Sequence, residues 1–377
     1  MLFYHLGVIA ITIAHVLAGC LAVFLILVIL LDAVETIVVP KRVNRKVRFA
    51  RYFYVMTWVP WRWFANRCLD NRKSRESFLG FYGPISLLFL IATWAIALVH
   101  AFAALHWALG SHLVAADGRA ISIFAELYMS GTTFFTLGLG DIRPTTEIAR
   151  LLTVTEAGMG FGMLAAVIGY LPTIYQSFSS REITISLLDA RGGSPPTACE
   201  LIRRHSADGA VDALNVLFAD WEKLAAQIME THISYPVLCY YRSQHGNQSW
   251  IAAIAAVLDA CALVMAGIEG IPDRQARLTF AMARHAMVDL TQVFGREPLA
   301  YACPRLSDED RTRLKATLAA NGARVQPGSD AELDRLRLMY EPYLVSLAAY
   351  LSMDVPYWLK QPEAKDNWTT SKWSTPH

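Results

Sequence analysis

The chain has 377 residues, 54% of them hydrophobic and 18% charged, with a mean hydropathy of +0.33 and a formal net charge of +2. That balance is too apolar for a chain soluble throughout and points to a membrane protein diluted by a soluble part. Cys20, Cys68, Cys199, Cys239, Cys261 and Cys303 are scattered with no C-x-x-C pair, which excludes a disulfide framework and a zinc site as the organising principle.

Leu6 to Leu31 is 26 residues with a single ionisable side chain, His15. A span needs about 20 residues, so a membrane helix is expected. A signal peptide is the competing reading. It would need a positive leading region, a shorter apolar run and a small-residue cleavage site, and none is present. His15 reads as a helix-packing histidine. Between Lys41 and Glu76 there are 11 Lys and Arg against Asp70 and Glu76, which by the positive-inside rule places this loop in the cytoplasm and the N-terminus outside. Its basic residues alternate with Tyr52, Phe53, Tyr54, Trp58, Trp61, Trp63 and Phe64, a composition suited to the inner membrane face. Arg42, Arg45, Lys46 and Arg48 are the candidate contacts to anionic lipid. Nucleic-acid binding is not expected of a patch tied between two spans. The arginines also lack the every-third-residue recurrence of a voltage sensor.

Leu79 to Trp107 reads as a second span, with His100 and His106 near its outer end. Gly110 to Arg119 reads as an outer turret. Ile121 to Phe135 is apolar, can be capped by Ser122, and is too short to cross the membrane. The stretch Thr136-Leu-Gly-Leu-Gly-Asp141 follows. Glycine at alternate positions allows backbone angles that turn successive carbonyls to one side. Several copies about an axis would stack rings of carbonyl oxygens able to replace the hydration shell of a monovalent cation.

At these residues the chain resembles the potassium-channel pore family, whose filter reads T-x-G-[YFL]-G-D between a pore helix and an inner helix. Thr136, Leu137, Gly138, Leu139, Gly140 and Asp141 match that pattern, and Pro144 matches a proline common shortly after it. Leu139 departs from the commoner tyrosine and removes a hydroxyl that would bond to the pore helix. The resemblance covers about Ser86 to Gln176. It implies a homotetramer and potassium as the permeant ion, held by the carbonyls of Thr136, Leu137, Gly138 and Leu139. No other cofactor and no enzymatic activity are expected.

Glu147 to Gln176 reads as the third span and, by the resemblance, as the inner helix. Gly160 falls at the family's hinge position, with close helix packing as the alternative, and Pro172 lies near the cytoplasmic gate. Phe161, Leu164 and Ile168 are expected to line the pore. Glu156 is an intramembrane acid and therefore a candidate functional group. It is expected to tie the inner helix to the pore helix behind the filter, with Thr132 or Thr133 or a backbone group as its partner; a pore-facing ion site is the alternative.

From Arg181 onward no motif for nucleotide, metal or nucleophilic chemistry is found, and His232, His245 and His285 are isolated. Leu214, Leu217, Trp221, Leu224 and Ile228 recur at helical spacing, and Ser307 opens a capped helix. Trp250 to Ala266 is apolar but too short and too rich in small residues to be read as a span. Arg191 to Pro196 reads as a linker.

The expected fold is an all-α membrane protein with three transmembrane helices, a re-entrant pore helix and filter, and an all-α cytoplasmic domain. The expected divisions are residues 1–40 (first helix), 41–77 (basic interfacial segment), 78–180 (pore domain), 181–362 (cytoplasmic domain, with an unknown ligand or protein partner) and 363–377 (tail). The expected location is the cell membrane. Three functions are compatible with these features: a potassium-selective channel, a weakly selective monovalent cation channel, and a membrane-anchored scaffold with a vestigial pore.

Overall fold

The structure, a computed structural model, describes residues 2–39, 49–110, 112–118, 120–206, 211–243, 247–299, 305–360 and 366–369. Arg42, Arg45, Lys46, Arg48, His245 and Cys303 lie outside the described residues. By its contacts the chain divides into two units, residues 1–61 with 84–174 and residues 62–83 with 175–377.

The first unit is built on α1 (Leu2–Ile37), the start of α2 (Phe49–Cys68), most of α3 (Arg72–Ala108), α4 (Ile123–Phe134) and the first part of α5 (Glu147–Gly192). α1, α3 and α5 each hold a stretch long and apolar enough to cross a membrane. Ile26, Ile29, Leu90, Trp94, Leu98, Phe102 and Phe134 form its core. Asp32 is buried in α1 and accepts from Ala50 N at 3.1 Å and from Trp94 Nε1 at 3.1 Å. It therefore satisfies one of the free N–H groups at the start of α2 and fastens α1 to α3. His15 packs edge-on against Trp107 with ring centroids 4.3 Å apart, the packing role expected of it.

The second unit holds α6 (Ala198–Ser206), α7 (Val211–Ser234), α8 (Trp250–Gly267), α9 (Arg274–Val293), α10 (Asp308–Ala320) and α11 (Asp330–Leu351). α8 has the length and hydropathy of a span, yet 83% of it is buried by protein, chiefly by α6, α9 and α11. A helix apolar on all sides must be buried in something, and here the surroundings are neighbouring helices. Its one acid, Asp259, receives Tyr340 Oη and both terminal nitrogens of Arg305, whose Nε and Nη2 also bond to the Pro356 carbonyl. Ser307 caps α10 by accepting from Asp310 N at 3.1 Å.

Three differences from the sequence reading stand out. α5 does not end near Gln176. It runs unbroken for 46 residues through Pro172 to Gly192, so the residues read as a linker begin inside a helix. Its far end is held because Arg181, 1% exposed, donates to His232 Nε2 at 3.0 Å, to Leu238 O at 3.0 Å and to Tyr241 O at 2.9 Å. Secondly, part of the basic segment engages protein rather than lipid. Arg62 donates to Ala349 O and Tyr350 O, and Arg72 pairs with Asp354 at 2.9 Å. Arg242 joins them on Leu351 O and Ser352 O, so cations satisfy the free carbonyls ending α11. Thirdly, Asp366, within the segment read as a tail, binds Arg204 at 2.9 Å and Lys360 at 2.8 Å.

Candidate functional site

α4 starts at Ser122, whose hydroxyl accepts from Ala125 N, and its buried face is Glu126, Met129, Ser130 and Phe134. Spacings of three and four put these residues on one stripe. At its C-terminal end the carbonyls that a helix leaves free are taken by the next residues of the chain. Thr136 N donates to Thr133 O at 2.9 Å, and Leu137 N and Gly138 N donate to Thr132 O at 2.7 and 3.3 Å. A trans peptide holds its C=O opposite the following N–H. The carbonyls of Thr136 and Leu137 are therefore both turned away from α4, to the same side.

The backbone alternates in sign along this strand. Thr136, Gly138 and Gly140 have φ of 58°, 56° and 77°, while Leu137 and Leu139 are not in the left-handed region. Glycine reaches this region at little cost. Thr136 is β-branched, so its conformation is strained. Beyond the strand the chain is pinned again. β1 (Leu113–Ala115) pairs antiparallel with β2 (Ile142–Pro144), and Ala116 N donates to Asp141 O at 2.7 Å. The Asp141 carboxylate accepts from Ile142 N at 3.1 Å. The hexad is thus held at both ends, with its own residues exposed within a single chain.

α5 presents two different faces. Glu156 and Gly160 are buried toward α3 and α4, whereas Phe161, Leu164 and Ile168 are 66%, 57% and 63% exposed. A methyl group at Gly160 would lie 1.9 Å from the Phe134 carbonyl oxygen, so glycine here permits backbone-to-backbone contact of α5 with α4. Gly158, Gly162 and Gly169 meet nothing within 4 Å.

Glu156 does not reach Thr132 or Thr133. Its Oε1 meets Ser130 Oγ, and its Oε2 lies 4.0 Å from His106 Nε2. The Thr132 and Thr133 hydroxyls turn back to Met129, because they lie off the stripe that carries Ser130. Their contribution is through their carbonyls, which receive the amides of Thr136, Leu137 and Gly138. The signal for Ser130 was present in the sequence as its spacing of four from Glu126. Nothing local singled out His106, which comes from a different helix.

An outer helix, a short re-entrant helix, an alternating-glycine strand and an inner helix make up a two-helix pore-loop module. Residues 87–177 match the family model described as ion channel, so this segment is an ion-channel domain of a membrane protein. A Bacillus subtilis (strain 168) protein named uncharacterized membrane protein YdjJ is 22% identical over 213 residues, 55% of this chain and 60% of that protein. The chain thus matches about 60% of the length of that relative. No solved structure matches the chain significantly. The family description is that of an ion channel rather than an enzyme.

Proposed function

We propose that the chain is one subunit of a tetrameric, potassium-selective channel of the cell membrane, with its N-terminus outside and the second unit in the cytoplasm. The observation that carries this reading is the sign alternation of φ at Thr136, Gly138 and Gly140, combined with filter amides bound back to α4. One chain supplies one column of carbonyls. Four columns about an axis make the rings that replace the hydration shell of a dehydrated potassium ion. The open apolar face at Phe161, Leu164 and Ile168 is then the lining of the pore below the filter. The C-terminal end of α4 directs its negative dipole end at the cavity and favours a cation there.

Opening is assigned to α5, with Gly160 and Pro172 as the points where it bends. α5 carries the lining residues and, further along, Arg181, whose guanidinium is bound inside the second unit. A ligand or protein that shifts the second unit would act on the pore through this helix. Arg42, Arg45, Lys46 and Arg48 are proposed as the anionic-lipid contacts.

A second reading is a weakly selective cation channel, favoured by Leu139. Its side chain offers no hydroxyl and is 63% exposed in a single chain. The test is flux from liposomes holding the purified full chain, with potassium or sodium as the only permeant cation and barium as blocker. Barium-sensitive flux of potassium alone supports the first reading, and equal flux of both ions the second. A chain that conducts neither ion, and whose cellular phenotype survives Gly138→Asp, would be a scaffold.

A further inference from the structure

Ser130 makes two short contacts at once. Its Oγ lies 2.7 Å from the carbonyl oxygen of Val99 and also contacts Glu156 Oε1. A hydroxyl has one proton to donate. A carbonyl oxygen has none, and an ionised carboxylate accepts only. If Glu156 were ionised, two acceptors would compete for the one Ser130 hydrogen and one close contact would be oxygen against oxygen with no proton between. Both contacts become hydrogen bonds in one way, with Glu156 donating to Ser130 and Ser130 donating to Val99. The surroundings agree with this count. Glu156 is fully buried, and a buried charge with no partner is costly. Among the described residues the cation-forming group paired with it is His106 on α3, which is itself 2% exposed, stands 4.0 Å from Oε2 and has no hydrogen bond at Nε2. On α4 the other titratable neighbour is Glu126, buried one turn before Ser130 and an acid as well.

We propose that Glu156 is a protonated carboxylic acid that latches the inner helix α5 to the pore helix α4 and, through Ser130, to Val99 of the outer helix α3, and that losing this proton releases the hold on α3. The proton leaves to water or to His106 Nε2. In either case Ser130 turns its one hydrogen to the carboxylate and gives up Val99. The released residue lies on the same stripe as Phe134, one turn before the carbonyls that hold the filter amides. Ionisation therefore loosens the support of the filter, and conduction falls as pH rises. Glu156, Ser130 and His106 are positioning residues in this scheme. The effect on flux rests on the channel reading above, whereas the protonation state does not.

Infrared spectroscopy of the full-length protein in liposomes at neutral pH tests the protonation state directly. The wild type minus Glu156→Gln difference spectrum should contain the C=O stretch of a protonated carboxylic acid. In Ser130→Ala this band should persist at a shifted frequency, because the acid has lost its acceptor. Absence of the band from the difference spectrum overturns the proposal, whether or not the protein conducts potassium. Should Glu156→Gln fail to assemble, an unshifted acid band in Ser130→Ala overturns it equally. Flux is then followed against pH. Wild-type flux should decline as pH rises, and Glu156→Gln, whose amide still donates to Ser130, should lose that dependence whatever its absolute rate. Parallel decline in both would show that the latch does not control conduction.

Discussion

Replacing Gly160 by alanine separates two roles that glycine can play in an inner helix. If Gly160 serves only as a hinge, alanine should stiffen α5 and stabilise the resting protein by roughly 0.5–1 kcal/mol, the usual gain for that exchange inside a helix. The geometry predicts the opposite sign. The added methyl would lie 1.9 Å from Phe134 O and 2.8 Å from Phe134 C, and Cβ contacts under 3.0 Å are essentially never seen. Reaching 3.0 Å requires a shift of 3.0 − 1.9 = 1.1 Å between two backbones. Neither is the end of a flexible side chain, so rotamer changes cannot relieve the clash. Overpacking of this kind costs about 1–3 kcal/mol or more. It falls on a residue next to the carbonyls that hold Thr136, Leu137 and Gly138 in place. Gly158→Ala and Gly162→Ala are the internal controls, since neither methyl meets anything within 4 Å of its own chain. The assay is the thermal stability of the detergent-solubilised full chain, read by size-exclusion chromatography after heating, together with the potassium-to-sodium flux ratio. Gly160→Ala should lower stability and degrade selectivity, while the controls keep or raise stability. A Gly160→Ala protein as stable and selective as wild type would refute the packing argument.

Other outcomes follow from the same geometry. Thr136→Gly should relieve a left-handed β-branched residue (φ 58°) and raise stability by about 1–3 kcal/mol, while changing the ratio of potassium to sodium flux. Arg305→Met leaves Asp259 buried without its cation and should cost about 3–5 kcal/mol in thermal unfolding of the full chain. The double variant with Asp259→Leu should recover most of that loss. Burial beside Arg181 holds the His232 imidazole well below its usual range. Folded His232 thus stays neutral where the unfolded chain takes up a proton, so stability is complete above about pH 6.5 and lost as pH falls below it. His232→Gln, scanned from neutral to acid pH, should flatten that decline. Neutralising Arg42, Arg45, Lys46 and Arg48 together should weaken any dependence of flux on anionic lipid, measured in liposomes of graded lipid charge.

The backbone alternation from Thr136 to Gly140 was legible because a strand with alternating glycines is a local object. Its glycine spacing is the conformational requirement itself. The spans were legible for a similar reason, since length and hydropathy are sums along the chain. The caps at Ser122 and Ser307 needed only a few residues of context. Other features needed distant partners. The apolar pattern of Trp250 to Ala266 could not say whether lipid or helices surround it, and α6, α9 and α11 supplied the answer. Pro172 and the Arg191-Gly-Gly run argued for breaks in α5. The helix continues to Gly192, and Arg181 is bound there by His232 and by carbonyls 57 and 60 residues further along. Arg62 and Arg72 belong to a segment whose composition suited the inner membrane face, and only the carbonyls and acid at the end of α11 show their partners.

What the sequence alone determined, then, is the set of features whose physics is local: the alternation of the backbone from Thr136 to Gly140, the helices, and the presence of an acid deep in α5. What the tertiary structure decided is who meets whom. Glu156 lies on the same stripe of α5 as Gly160. Whether it met Ser130 or Thr132 depended on the rotation of α4 about its axis, and that rotation is set by burying Glu126, Ser130 and Phe134 together. The same packing makes Gly160 a place where two backbones touch.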